Sequence, residues 1–334
     1  MMRKITMFMA GCLLIVVMAA CGAEDAEETS GEETEEVSGE SPSEETTDEE
    51  NTEEAAEVTI DHELGETTLE KNPENVVVLD FGSLDTLDAL GVDVGGVPQA
   101  NVPEYLEQYE NSEYENVGGI KEPDFEKIAA MDPGLIIISG RQSDAYEELS
   151  DIAPTIYMGV DTEDYWNSFE ANVTALAGIF EKEEQAEEEL ASIKEDIDAL
   201  QEEASSMDEE ALVVLANDGE LSAYGAGSRF GIIHDEFGFP QADENIEAST
   251  HGQSVSFEYV KEEDPDYLFV IDRGAVVGGE TTAREVVENE LTERTSAYEK
   301  GNIVYLNPNY WYISGGGLQS VPEMAAEAES ALAE

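Results

Sequence analysis

Asp124-Phe125-Glu126-Lys127-Ile128-Ala129-Ala130-Met131-Asp132-Pro133-Gly134-Leu135-Ile136-Ile137-Ile138-Ser139-Gly140-Arg141 lies without a gap over Ser256-Phe257-Glu258-Tyr259-Val260-Lys261-Glu262-Glu263-Asp264-Pro265-Asp266-Tyr267-Leu268-Phe269-Val270-Ile271-Asp272-Arg273. Phe, Glu, Asp, Pro and Arg coincide. Each copy reads as a short amphipathic helix, a Pro-marked break and an apolar run bounded by polar residues. That is the pattern of a helix feeding a buried strand of a parallel sheet. The chain is therefore expected to hold two similar α/β halves. Each copy ends on an arginine at the carboxyl edge of its sheet, where open α/β sheets place ligands. Two such edges facing each other make a cleft with a cation on either wall.

Working outward, the start of the chain carries an address. Arg3 and Lys4 precede an apolar run from Met7 to Ala20, the form of a secretory signal too short to span a membrane comfortably. Met18-Ala19-Ala20-Cys21 resembles a bacterial lipobox, and Cys21 is the only cysteine left once residues 1–20 are removed. Lipid on Cys21 is expected to anchor the protein to the outer face of the cytoplasmic membrane. Residues 21–57 form the lipidated cysteine and an acidic, low-complexity tract without Lys, Arg or aromatic residues. Such a tract buries little and repels itself, so it is expected to act as a disordered tether.

The remaining residues suffice for two domains, placed here at 58–164 and 207–334, with a helical region at 165–206 between them. No Gly or Pro interrupts the second portion of that region. There Ala186, Leu190, Ile193, Ile197 and Leu200 recur at helical spacing, opposite a Glu-rich face. In the first half, Ser83 is expected to cap a helix through Leu84, Leu87 and Leu90.

The net charge is −66, from 80 acidic and 14 basic residues. That excludes nucleic acid as a partner, since its phosphates need Lys and Arg to neutralise them. An acidic surface of this kind suits a salty medium, in which repulsion is screened. It also makes each cation informative. Beyond residue 20 the arginines are Arg141, Arg229, Arg273, Arg284 and Arg294. Arg284 and Arg294 sit among glutamates in helix-like contexts and read as solvated pairs. Arg141, Arg229 and Arg273 follow small or turn residues and are the candidates for binding an anionic ligand with planar oxygen faces.

The loop Gly225-Ala226-Gly227-Ser228-Arg229-Phe230-Gly231 lacks the third glycine of a dinucleotide fingerprint and the Gly-Lys-Ser/Thr of a phosphate loop. Arg229, at the start of a helix with free amides near it, is still expected to contact an anion. Tyr310, Trp311 and Tyr312 offer aromatic packing, with Trp311 the one expected to double as core. His62 and His234 read as structural. Three histidines in all are too few for a free zinc or manganese site. No Gly-x-Ser-x-Gly elbow is present, which leaves a secreted hydrolase using His251 as a weak alternative.

Phe81-Gly82-Ser83-Leu84-Asp85, Lys121-Glu122-Pro123-Asp124-Phe125-Glu126, Ile138-Ser139-Gly140-Arg141-Gln142, Thr250-His251-Gly252, Val270-Ile271-Asp272-Arg273 and Tyr310-Trp311-Tyr312 carry a resemblance. From Val58 to Glu334 the chain resembles the siderophore-binding lipoproteins of bacterial iron ABC importers, in the branch that takes catecholate ferric siderophores such as petrobactin. The resemblance implies an α/β protein of two Rossmann-like lobes with mostly parallel sheets, joined by one long α-helix, with the ligand cleft between them. It implies a binding protein with no enzymatic activity and no intrinsic cofactor. Its ligand would be a ferric siderophore held by Arg141, Arg229 and Arg273, with Tyr310, Trp311 and Tyr312 beside it.

The same resemblance implies that His251 and Tyr312 ligate iron when a tetradentate siderophore leaves positions open. It implies that Glu126 and Glu258 dock on an ABC permease dimer served by its ATPase, with the chain acting as a monomer. A hydroxamate siderophore, haem or cobalamin is the alternative ligand class.

Overall fold

The computed structural model describes residues 56–333; the signal, Cys21 and nearly all of the tether lie outside the described residues. A hairpin of β1 (Glu57–His62) and β2 (Gly65–Glu70) opens the fold. It is tied to the first lobe by Thr67 Oγ1, which donates to the Thr155 carbonyl at 2.7 Å. There follow β3 (Val77–Val78), β4 (Gly96–Val97), β5 (Glu115–Asn116), β6 (Ile136–Ile138) and β7 (Thr155–Tyr157). They form a wholly parallel sheet of order β5-β4-β3-β6-β7. Its buried strands alternate faces: Val78, Ile137 and Ile156 enter one core cluster, and Val77, Ile136 and Ile138 the other.

The second lobe contains β8 (Ala211–Asn217), β9 (Glu220–Tyr224), β10 (Gln253–Val255), β11 (Tyr267–Asp272) and β12 (Ile303–Leu306), in the order β10-β9-β8-β11-β12. Here β8, β11 and β12 are parallel, whereas β9 runs antiparallel to both β8 and β10. The reversal follows from Asp218 (φ 47°) and Gly219 (φ 90°), which form the two-residue left-handed turn that suits a hairpin.

The repeat is structural as well as sequential. Asp124 accepts from the Lys127 amide and caps the helix Phe125–Ala130; Ser256 accepts from the Tyr259 amide and caps Phe257–Glu263. Asp132 and Asp264 both turn through positive φ, at 50° and 46°. The strands that follow, β6 and β11, hold the same place in their sheets.

Two sequence expectations change. The helix Phe81–Ala89 begins two residues before Ser83 and is capped by Asp80, whose Oδ2 accepts from both the amide and the hydroxyl of Ser83. The pattern from Tyr165 to Ala204 is two helices, Tyr165–Phe180 and Glu183–Ala204, broken where Glu181 adopts φ 55°. The first helix joins the lobes: Phe169 and Val173 pack in the core of one, and Leu176 and Ile179 in the core of the other. The second lays its apolar stripe on the C-terminal lobe beside the last helix, Ser320–Leu332. Both sheets belong to one compact unit. Among the described residues no helix is long and apolar enough to cross a membrane.

Candidate functional site

Arg141 lies in the turn that follows β6. The next residue, Gln142, is 2% exposed. Its Oε1 accepts from the Ser139 amide at 3.0 Å, and its Nε2 donates to the carbonyls of Leu79 and Ile120. One side chain thus fixes the turn to β3 and to a neighbouring loop. Arg273 opens the short helix Arg273–Val277, capped by Asp272. Its Nη1 donates to Asn217 Oδ1 at 2.6 Å and its Nε to the Tyr312 hydroxyl at 2.8 Å.

Arg229 comes from the glycine-rich loop. The free amides expected around it are engaged: Gly227 donates to Asp235 Oδ2 and Ala226 to Gln241 Oε1. The helix that follows, Ile232–Asp235, is a single turn. Anion binding there falls to the side chain rather than to the loop amides.

All three arginines meet at Tyr312. Arg141 Nη2 and Arg229 Nη2 donate to its carbonyl at 2.8 and 2.7 Å, and the Arg229 guanidinium lies 4.3 Å from its ring centre. None of the ion pairs among the described residues involves Arg141, Arg229 or Arg273. Half-buried cations with only neutral acceptors are costly, and an incoming anion relieves that cost. Burial, and then the like charge of Arg141, pull Arg229 below its ordinary pKa. Burial pushes the Tyr312 phenol up, but the Arg273 hydrogen bond and the charges of Arg229 and Arg273 prevail, and its pKa falls.

Tyr312 occupies a π-helical turn, Asn309–Ser314, an irregularity common at functional sites. Tyr310 packs against Tyr105 of the first lobe at 4.8 Å. Trp311 is 3% exposed, lies edge-on to Phe237 and donates its Nε1–H to Glu327 Oε2, so it is a core residue. His251 is exposed, and its carbonyl accepts from the Tyr224 hydroxyl. Glu126 and Glu258 are exposed in the first turns of the two repeated helices. His62 and His234 bond to Thr67 and to the Phe239 carbonyl, in structural positions. Among the described residues no group of three or more His, Cys, Asp or Glu side chains is placed to hold a metal ion.

Sequence reasoning did not single out Asn217, which holds Arg273. The signal was present, since Asn217 precedes Asp218-Gly219, a strong hairpin pair. It also missed the contact of Asp85 and Tyr105 with the end of the chain, which no local pattern reveals.

The profile of a family described as periplasmic binding protein matches residues 76–310. The chain is 43% identical over 335 residues to the petrobactin-binding protein YclQ of Bacillus subtilis, covering 99% of each chain. The crystal structure of that protein superposes with a TM-score of 0.81 at 48% identity, over 84% of this chain and 99% of that one. The ferric-anguibactin-binding protein FatB of Vibrio anguillarum is 34% identical over 270 residues, 79% of this chain and 84% of that one. The periplasmic catecholate-siderophore binding protein VctP of Vibrio cholerae gives a TM-score of 0.79 at 36% identity, over 82% and 100% of the two chains. With its fold, its convergent arginines and a match over most of its length, this chain belongs to the periplasmic binding protein family and is a binding protein rather than an enzyme.

Proposed function

We propose that the protein captures a ferric catecholate siderophore at Arg141, Arg229 and Arg273 and delivers it to an ABC permease. The observation that carries this reading is the convergence of three guanidinium groups that have no carboxylate partner among the described residues, in a chain where acidic residues outnumber basic ones 80 to 14. A ferric catecholate is an anionic chelate with planar oxygen faces, which the fixed donor fork of arginine matches. Each charge-assisted bond contributes about 1.5–3 kcal/mol, so the three supply roughly 5–9 of the ~12 kcal/mol of nanomolar binding. Packing against Tyr312 and Tyr310 adds to it.

The lowered pKa of Tyr312 favours a second role for this residue. With a tetradentate siderophore, its phenolate and the exposed His251 imidazole complete the iron's coordination, both being acceptable ferric ligands. Glu126 and Glu258 dock on the permease, one from each lobe, as their matched exposed positions suit a two-fold partner. Lipid on Cys21 holds the protein at the outer face of the cytoplasmic membrane.

The test is a titration of Trp166 and Trp311 fluorescence with ferric complexes of a bis-catecholate, a tris-catecholate and a hydroxamate. Quenching by a catecholate, lost when Arg229 becomes Ala, supports the reading. Indifference to every catecholate overturns the ligand assignment.

A further inference from the structure

The Tyr312 carbonyl serves one arginine from each lobe, so the position of a single peptide group sets the register of both. After β12 the chain crosses to the N-terminal lobe and is held there. Asn309 Oδ1 accepts from the Glu104 amide at 3.2 Å. The Tyr105 hydroxyl lies 2.7 Å from Ser314 Oγ and 2.8 Å from Asp85 Oδ2. A phenol has one proton, which the acceptor-only carboxylate takes, leaving the phenol oxygen to accept from Ser314.

Beyond Ser314 the backbone passes so close to the helix Phe81–Ala89 that a side-chain carbon on Gly82 would stand 2.8 Å from the Gly315 carbonyl oxygen. Asp85 then accepts from the amides of Gln319 and Ser320 at 2.6 and 2.8 Å. The last helix, Ser320–Leu332, has no side-chain cap of its own, so a carboxylate from the opposite lobe supplies it. Asp85 is fully buried, and burial raises its pKa to about 6, leaving it ionised at neutral pH at some cost. A buried charge retained at a cost and fully hydrogen-bonded is a device that specifies geometry.

We propose that Asp85, Tyr105 and Ser314 are positioning residues for the ligand cleft: across the lobe boundary they hold the turn whose Tyr312 carbonyl sets Arg141 and Arg229. They touch no ligand and act through Tyr312. The inference rests on the arginine cleft being the ligand site, and it deepens that reading.

Tyr105→Phe keeps the ring packed on Tyr310 and deletes both hydrogen bonds. Ser314→Ala deletes one of them and guards against misfolding of the first variant. The readout without ligand is nitrogen NMR of the arginine guanidinium groups: the Arg141 signal, identified by its loss in Arg141→Ala, reports whether Arg141 Nη2 still reaches the Tyr312 carbonyl. Its N–H signals are expected to be protected from exchange in the parent protein and to exchange faster in both variants. A purely structural role lowers thermal stability and leaves those signals in place, which overturns the proposal.

The second readout is affinity for a ferric bis-catecholate. It is expected to fall about three- to tenfold in Tyr105→Phe, as for one lost hydrogen bond. The loss should shrink when Arg141 is already Ala. Equal affinity of parent and variant also overturns the proposal. Failure of the parent to bind any catecholate sinks the ligand reading instead, and the guanidinium signals of Arg141 then decide this inference alone.

Discussion

The copy of the repeat that ends at Arg141 and the copy that ends at Arg273 share a capped helix, an aspartate at positive φ and the same strand position. They differ in what surrounds the arginine. Arg141 follows a strand of a wholly parallel sheet, and its side chain makes one hydrogen bond, to a carbonyl it shares. Arg273 follows a strand of a sheet with an antiparallel hairpin, whose turn brings Asn217 to it and whose second strand leads into the loop of Arg229. A skeleton used twice can carry an unequal chemical load, because packing constrains the buried strand while edge and loops remain free to diverge.

The largest test of the shared skeleton is at Ile137 and Phe269, which occupy equivalent places and are fully buried. Ile137→Ala is expected to cost about 2–5 kcal/mol and Phe269→Ala about 3–5 in denaturant unfolding. A single transition moved by either variant marks the lobes as one cooperative unit; two separable transitions would break that view.

The unequal load is tested next. Arg229→Ala and Arg273→Ala should each weaken binding of a ferric catecholate by about 10- to 100-fold. Arg141→Ala should cost less, and equal losses across the three would remove the asymmetry.

A smaller effect sharpens the likeness of the two copies. Asp124→Ala and Ser256→Ala each remove an N-cap and should lower stability by about 1 kcal/mol in chemical unfolding. A loss at only one cap would mean that the two helices are not held alike.

The smallest effect concerns one histidine in each lobe. Burial lowers the pKa of both His62 and His234 from the ordinary 6.5. The unfolded chain then binds more protons than the fold, so this contribution is present above pH 6.5 and is lost as pH falls. Asp85 acts with the opposite sign: raised from 3.8 to about 6, it makes stability fall as pH climbs through that window. Replacing both histidines by Gln should flatten the acid side of the stability profile, and an unchanged slope would show that neither ring matters.

The amino-acid sequence by itself determined the two α/β halves, the central strands and the arginines at their ends. These rest on patterns a few residues long, apolar runs, Pro breaks and caps, that constrain the backbone wherever the segment is placed. Scarcity of positive charge, together with the small or turn residues that precede them, singled out Arg141, Arg229 and Arg273. Only the tertiary structure decided that all three meet at Tyr312 and that the lobe-joining helix stops at Phe180. It alone decided that Asp85 caps a helix more than two hundred residues away, an |i−j| of 235. Such contacts join groups with no local periodicity, and their geometry arises when two separately built surfaces are packed together, which no window along the chain encodes.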